Sequence, residues 1–429
     1  MTTRYVNPGE SIQSAINSAN AGDDIIVRAG TYIGGVTLNK AVLLAGEAGA
    51  VLKPSTAGSG TGVTIAADGA VVESLTLDSF NCGIGPASIG SMSGFKNDVG
   101  VTNCKVFRAQ YSCWIGGKRW FVRDNEFAFP RWWNGQGDCD YTRMFGSYHV
   151  FANNWLHGAN FSDTSLAPAS GSDYAHCDGI QYYGSNGEVF QDILIVDNLI
   201  EDFLQGMFIC DEPNTSAIAR VMIRNNRFIS KNYTPAPGSA NYSGRASWGV
   251  CIGKNYGATD IVLENNTLVN INNAVGLRGA VNGAMFMNVL RNYGNGTAYD
   301  PSCTTPSKVS NSNLVYGFAA FGQAWNGADT VKDPVLDANY YATAAPGYGY
   351  QPATAPAPTP PPDPTPTPEP TPEYVTHDEF AAAQTADDAR MDAIEARLTA
   401  LETRMNAQPK TRMALRGYDG RKYYGRVEP

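Results

Sequence analysis

The chain has 429 residues, of which 43% are hydrophobic and 17% charged, so it can bury a large core. Its net charge of −9 excludes nucleic acid as the main partner, because phosphate binding requires a basic surface. No apolar run reaches the roughly 18 residues of a membrane-spanning helix. The first residues lack a signal-peptide pattern, so we expect synthesis in the cytoplasm without a classical leader.

The first predicted elements are a short helix and a strand. Apolar residues between Ile12 and Ala19 share one face of a helix that Gly22 ends. Residues 24–27 then form the first strand. We expect the helix to cap the open end of the first coil of a solenoid.

A repeat is the main signal in the sequence. Each copy has apolar residues two apart, then Asp/Asn-Asn, then a polar–apolar pair. The copies are Val122–Phe127, Val150–Leu156, Ile195–Ile200, Val221–Phe228 and Ile261–Leu268. Asn tolerates the left-handed backbone of a sharp corner, and stacked Asn side chains can hydrogen-bond from coil to coil.

A second strand-like segment follows in each coil. These segments are Cys113–Gly117, Gly179–Gly184, Gly206–Cys210, Gly249–Gly253 and Ala274–Arg278. If they stack, Ile180, Met207, Val250 and Val275 point inward together. One coil cannot bury its own apolar face, but stacked neighbours can.

These patterns predict that residues 1–345 form an all-β, right-handed parallel β-helix. The segment from Pro8 to Tyr32, followed by coils with Asn at their corners, resembles the β-helix proteins of the pectate-lyase-like superfamily, most of all phage tailspike and spike proteins. The resemblance implies action on polysaccharide. It does not select a chemistry, because this architecture hosts lyases, hydrolases, epimerases and pure binders.

The composition changes sharply near Gln351. Residues 346–374 are predicted to be an extended Pro/Thr-rich linker. In residues 375–408, apolar residues alternate by four and three, with Leu398 at a and Ile394 at d, which favours a parallel trimer or tetramer. The alternative is a lone amphipathic helix. Residues 409–429 form a basic tail, either a solvated end or a peptide that docks on other particle proteins.

The sharpest local motif is His176–Gln181, at the start of a predicted strand. Similar stretches occur among β-helix proteins that act on sugars. His176 and Asp178, two apart on a strand, share a face and could transfer a proton or hold a metal. The alternative, slightly favoured by the sequence, is that Asp178 caps a corner and His176 is a turn residue.

A second candidate site comes from aligning the coils by their glycines. This alignment gathers charged residues at the strand exits: Lys118, Arg119, Asp211, Glu212, Lys254 and Arg278. A lyase acting on uronic acids needs a cation beside the sugar carboxylate, a basic residue that takes the adjacent proton, and acids that can hold Ca²⁺. The sequence favours the alternative, an ordinary solvated edge. Carboxylate pairs suited to hydrolysis are Asp138 with Asp140, Asp173 with Asp178, and Asp211 with Glu212.

Aromatic residues indicate the ligand. Trp132 and Trp133 follow each other in a Gly-rich stretch, and Tyr183 faces outward if Ile180 and Tyr182 face in. These three are the predicted sugar-stacking residues. The alternative is that such rings cover insertion loops.

Together these features predict a virion-associated spike or fibre, of a phage or a phage-like particle, located on the particle surface. It would be a homo-oligomer, most simply a trimer, that binds host surface polysaccharide. Whether it also depolymerises the polysaccharide stays open, as does the metal. Two further hypotheses are a free polysaccharide lyase or glycoside hydrolase, and a structural adhesin without catalysis.

Overall fold

The computed structural model divides the chain into two compact units, Met1–Asp387 and Asp388–Pro429. The described residues are 2–87, 94–131, 133, 139–159, 177–184, 189–203, 205–211, 218–231, 246–253, 258–277, 284–292, 297–299, 310–322, 329–351, 414–416 and 422–424. Within them, no helix is long and apolar enough to cross a membrane. The predicted linker from Pro352 onward and the predicted coiled coil lie outside the described residues, so both stay predictions.

Each coil of the first unit contributes strands, in chain order, to three stacks of parallel strands, which we call sheets 1, 2 and 3. The strands of sheet 1 are Thr3–Val6, Asp24–Val27, Leu43–Gly46, Val71–Glu73, Val99–Thr102, Trp120–Arg123, Val150–Ala152, Phe190–Val196, Ile218–Arg224, Ala258–Glu264, Ala284–Arg291, Ser310–Tyr316 and Thr330–Val331. The short strand Gly146–Ser147 pairs with the beginning of Phe190–Val196.

Sheet 2 follows sheet 1 in each coil. Its strands are Gly30–Ile33, Ala50–Lys53, Thr76–Asp78, Lys105–Phe107, Glu126–Ala128, Trp155–His157, Leu199–Glu201, Arg227–Ile229 and Thr267–Val269. The end of Ala284–Arg291 pairs with the last of these. All of these pairings are parallel, so successive coils lie directly on one another.

Sheet 3 completes each coil. Its strands are Val36–Leu38, Thr61–Ile65, Cys82–Gly85, Tyr111–Ile115, Asp140–Met144, Asp178–Gly184, Gln205–Asp211, Ala246–Ile252, Ile271–Leu277 and Thr297–Tyr299. The predicted all-β parallel β-helix is therefore confirmed. In the second unit, Ala414–Arg416 and Lys422–Tyr424 form an antiparallel pair.

The one α-helix among the described residues is Ile12–Ser18. Ser11 caps it by accepting a hydrogen bond from the Ser14 amide. Ile12 and Ile16 are buried and belong to the same core cluster as the strands of the first coils. The helix therefore packs its apolar stripe on the start of the solenoid.

The core is one continuous column of inward side chains. Ile180, Met207, Val250 and Val275 pair in register on neighbouring strands of sheet 3 and are all buried, as predicted. Neighbouring strands lie only about 4.8 Å apart, so each coil completes the burial of the next.

At the corner between sheets 1 and 2, one residue makes the backbone turn and the next residue makes the hydrogen bond to the neighbouring coil. The first has a left-handed backbone, as at Asp197 (φ 59°) and Asn225 (φ 56°). The second is a buried asparagine whose side-chain amide donates to the Oδ1 of the next one, over 2.8–3.0 Å. This ladder comprises Asn125, Asn154, Asn198, Asn226, Asn266, Asn288 and Asn313. The predicted coil-to-coil asparagine bonding is confirmed.

The segment that follows the last coil lies back on the solenoid. The Gly349 amide donates to the Met287 carbonyl over 2.6 Å, and the Tyr350 amide donates to Thr267 Oγ1 over 2.8 Å. The Arg227 guanidinium lies 4.1 Å from the centre of the Tyr350 ring. This segment therefore covers the late coils of sheet 2, up to the coil that contains Arg227.

Candidate functional site

The strands of sheet 3 begin with a column of residues that changes from coil to coil. Cys82 pairs with Tyr111, and Tyr111 pairs with Asp140. Further along, Asp178 pairs with Gln205. The Asp178 amide donates to Asp140 Oδ1 over 3.3 Å, which places the two aspartates on adjacent coils.

The local sequence explains this placement. Gly179 follows Asp178, and a Cβ on Gly179 would lie 2.1 Å from the Gly206 carbonyl oxygen, so only glycine fits there. The Gln181 side chain donates to Asp178 Oδ2 over 3.1 Å. Residues three apart therefore share a face here, which a flat strand would not allow. The Asp-Gly-Ile-Gln motif thus provides a glycine that fits against the next coil and two polar side chains, Asp178 and Gln181, that hydrogen-bond to each other.

The coil before it repeats the same geometry with a stronger interaction. Arg143 Nε lies 2.7 Å from Asp140 Oδ2, three residues earlier. Arg143 pairs with Gln181 across the strands. We call Asp140, Arg143, Asp178 and Gln181 the charged cluster. All four are buried.

Two aromatic rings hold the guanidinium of Arg143 in place. The guanidinium carbon, Cζ, lies 4.6 Å from the centre of the Tyr111 ring and 5.1 Å from the centre of the Trp114 ring. Those two rings pack edge to face at 5.2 Å. A guanidinium that stacks on rings and binds a carboxylate is a rigid donor, which lysine could not replace.

The chemistry of the charged cluster follows from its burial. Hydrogen bonds to charged groups are stronger where water is excluded. Asp140 and Asp178 are fully buried and hold the Arg143 guanidinium and the Gln181 amide, which keep a small exposed fraction and are the groups of the cluster that a ligand can reach. Among the described residues, no group of three or more His, Cys, Asp or Glu side chains could hold a metal, so Ca²⁺ stays a prediction.

Two cysteines precede the aspartates of the charged cluster. Burial, and then hydrogen bonding to Cys139, raise the pKa of the Cys177 thiol well above its usual value. Both thiols are free and buried. The raised pKa keeps the Cys177 thiol protonated, which makes it a poor nucleophile.

The residues predicted from sequence do not converge on one point. Asp178 lies in the charged cluster. Lys118 instead bridges to Ser147, and Arg119 Nη2 lies 2.8 Å from Asp98 Oδ2, both at the entry to sheet 1. Trp133 donates its indole N–H to the Arg108 carbonyl over 2.8 Å, at the corner after sheet 2.

The remaining predicted residues are only partly located or are not located. Asp211 pairs with Gly184, and Tyr183 with Cys210, through their backbones. Their side chains lie outside the described residues. The other predicted residues lie wholly outside: His176, Glu212, Lys254, Trp132 and Arg278. Their proposed roles stay predictions.

Arg143 was missed by the sequence interpretation. Its strand, Asp140–Met144, has no glycine, and the coils were aligned by their glycines. The signal that could have found it is the local pattern of an aspartate followed three residues later by a long polar side chain, which Asp140–Arg143 shares with Asp178–Gln181. Asp140 was noticed only as a member of a carboxylate pair with Asp138.

Comparison with known proteins gives likeness of fold. No family model matches the chain, and no curated protein matches its sequence. Among solved structures, it is similar to the pectate lyase Pel9A, with a TM-score of 0.42 and 15% identity, over 80% of this chain and 82% of that one.

Two other solved structures illustrate the range of such neighbours. The PL6 family alginate lyase AlyGC has a TM-score of 0.44 and 14% identity, over 81% of this chain and 56% of that one. The tailspike protein of E. coli bacteriophage HK620, in complex with a pentasaccharide, has a TM-score of 0.42 and 12% identity, over 74% of this chain and 62% of that one. This chain therefore matches little more than half of the alginate lyase. At such identities the likeness concerns the fold alone.

Proposed function

We propose that this protein binds polysaccharide along sheet 3, with the charged cluster as the centre of the binding face. The observation that carries the proposal is the cluster itself. A solenoid needs only apolar and backbone contacts between coils, yet here two carboxylates and a guanidinium stack in consecutive coils and are braced by two rings. Buried charges cost folding free energy, and a binding role gives a reason for that cost.

The composition of the cluster fits a sugar polymer. Carboxylate and amide oxygens accept from hydroxyl groups, and a guanidinium donates to hydroxyl or carboxylate oxygens. A repeated polymer also suits a repeated scaffold, because successive coils present successive contact points at strand spacing.

Cleavage of the bound polymer is the second part of the proposal. Asp140 and Asp178 occupy adjacent coils, where backbones lie about 4.8 Å apart. Glycoside hydrolases use two carboxyl groups that flank the scissile bond, and this pair on adjacent coils is our candidate for them. The competing lyase mechanism would use Arg143 to neutralise a uronate carboxylate and the predicted base Lys254.

The test uses the full chain and a panel of bacterial capsular and exopolysaccharides. Products are sized by chromatography, and retained polymer is measured by affinity electrophoresis. We expect Asp178→Asn to abolish cleavage, or to weaken retention about tenfold if the protein only binds. The matched control is Asp192→Asn, because Asp192 is equally buried and paired, with Arg220, on sheet 1. Equal behaviour of the two variants would refute the site.

We further propose that the protein is displayed on a virion or similar particle as an oligomer. The heptad pattern of residues 375–408 and the Pro-rich spacer support this, since several copies would add avidity. Sedimentation of the full chain and of Leu398→Asp tests it. A trimer or tetramer that the substitution converts to monomer is the expected result, and a monomeric parent chain would contradict it.

A further inference from the structure

A second cluster of aromatic residues lies on the outer face of sheet 2, away from the charged cluster. Its rings form a continuous row: Phe107 to Phe129 at 6.4 Å, Phe129 to His157 at 5.3 Å, and His157 to Trp155 at 3.7 Å between ring centres. We call these four residues the aromatic row. Trp155 is 42% exposed and Phe129 is 50% exposed.

The exposed rings are held rigidly from below. The Trp155 indole N–H donates to Glu201 Oε2 over 2.9 Å, and Glu201 is only 2% exposed and also pairs with Lys231. His157 Nε2 lies 3.1 Å from Glu126 Oε1, and the His157 ring stacks on Trp155. A solvated tryptophan needs no buried carboxylate, but a platform for a ligand gains affinity from being fixed in advance.

The position of Phe129 gives an independent indication. Phe129 has a left-handed backbone (φ 53°), which is unfavourable for a bulky residue. The same corner in neighbouring coils is occupied by Ser79 and Arg108. A Cβ on Gly158 would lie 2.5 Å from the Phe129 ring, so glycine leaves the space for it. The left-handed backbone recurs at this corner in Ser79, Arg108 and Gly158, so it belongs to the corner itself. What is particular to this coil is an exposed aromatic ring there, beside a glycine, and this exposed ring is what indicates a function.

The charged residues around the aromatic row indicate which class of ligand it can bind. Two acids, Glu126 and Glu201, and two bases, Lys105 and Lys231, form ion pairs along it, so their net charge is zero. Four side chains are far fewer than the roughly 20–30 residues a side of a stable protein interface. Flat rings flanked by hydrogen-bonding groups suit a small amphipathic ring with hydroxyls at its edge.

We infer that the aromatic row is a binding site for uncharged sugar rings, separate from the charged cluster. The sugar's C–H face stacks on Trp155 and Phe129, and its hydroxyls reach the carboxylates. The inference rests on the proposed function for its ligand class, but it uses other residues on another sheet. Because sheet 3 follows sheet 2 in each coil, the row would bind the polymer on the face next to the one that carries the charged cluster.

The test measures binding of defined oligosaccharides to the full chain by calorimetry and saturation-transfer NMR. The neutral probes are maltoheptaose, cellohexaose and xylohexaose, and the acidic probes are oligogalacturonate and oligomannuronate. We expect at least one neutral probe to bind, and Trp155→Ala and Phe129→Ala each to weaken it about tenfold. Trp155→Phe, which retains a ring but loses the bond to Glu201, should give a smaller loss and serves if the alanine variant fails to fold.

Two controls separate this site from others. Tyr148→Ala removes an aromatic side chain of similar exposure (43%) at another corner and should change nothing. Polysaccharide retention by Asp178→Asn reports on the charged cluster, and oligosaccharide binding by Trp155→Ala reports on the aromatic row, so that failure of one site and failure of the other give different results. The inference is overturned if no neutral probe binds, if only acidic probes bind, or if Trp155→Ala alters the oligomeric state instead of sugar affinity.

Discussion

The corner between sheets 1 and 2 and the face of sheet 3 are built by opposite rules. At the corner, every coil from Asn125 to Asn313 places the same side chain in the same position, and each bonds to the next. On sheet 3, the corresponding column runs through Tyr111, Asp140, Asp178 and Gln205. Uniform repetition indicates a structural role. Variation on the same repeating backbone marks the place where this molecule differs from a generic solenoid, and therefore where function is expected.

The largest expected effect concerns the charged cluster. Arg143→Met leaves Asp140 as a buried charge without its guanidinium and should lower the free energy of unfolding by about 3–5 kcal/mol. The double variant Asp140→Asn/Arg143→Met should regain part of that loss. Urea unfolding measures both. As control, Arg119→Met removes an exposed ion pair with Asp98 and should lower the free energy of unfolding by at most about 1 kcal/mol. Equal losses for Arg143→Met and Arg119→Met would show that the buried pair is no more important for stability than the exposed one.

The next effect concerns the asparagine ladder. Asn198→Ala removes the acceptor of both the Asn154 amide and its side-chain N–H, and should cost about 3 kcal/mol. The control Asn153→Gly alters the adjacent corner position, where glycine adopts the positive φ readily, and should change stability little. Hydrogen exchange should show the loss spreading to both neighbouring coils. A purely local change would argue against a cooperative ladder.

A third corner, between sheets 3 and 1, makes stability depend on pH. Burial lowers the pKa of His149 to about 4, and the neutral ring accepts from the Trp120 amide while its Nε2 bonds to the Phe145 carbonyl. The unfolded chain therefore binds the extra proton between about pH 6.5 and pH 4. Stability should be complete above about pH 6.5 and fall by about 3 kcal/mol on acidification to pH 4. His149→Gln should remove this part of the pH dependence, and an unchanged slope would contradict it.

The smallest expected effect concerns the reactivity of two buried cysteine thiols, one on sheet 3 and one at the corner between sheets 1 and 2. Burial raises the pKa of Cys82, on sheet 3, and of Cys104, at the start of the ladder corner, each to about 12. Because the thiolate is the reactive species, iodoacetamide should label neither in the native protein and both on unfolding. Native-state labelling of Cys82 alone would mean that sheet 3 opens independently of the corner.

The fold was predictable from sequence because its signals are local and repeated. An apolar pair, a residue that accepts positive φ, and an asparagine recur in the coils from Asn125 to Asn266, so the corner and the inward column from Ile180 to Val275 follow from spacing. The candidate site was predictable only in part. Asp178 was found through its motif, but Asp140, which accepts a hydrogen bond from its amide, lies 38 residues earlier in sequence and came next to it only through the register of sheet 3.

The sequence by itself determined that this chain winds into a parallel β-helix, because periodic burial and corner chemistry act within each coil. Only the tertiary structure decided which polar residues meet. Insertions of different length separate the coils, so the register, and with it the meeting of Asp140 with Asp178 and of Phe129 with His157, depends on how each strand pairs with the one before it. Spacing along a chain does not reveal a contact between coils, because that contact is set by stacking and not by distance in sequence.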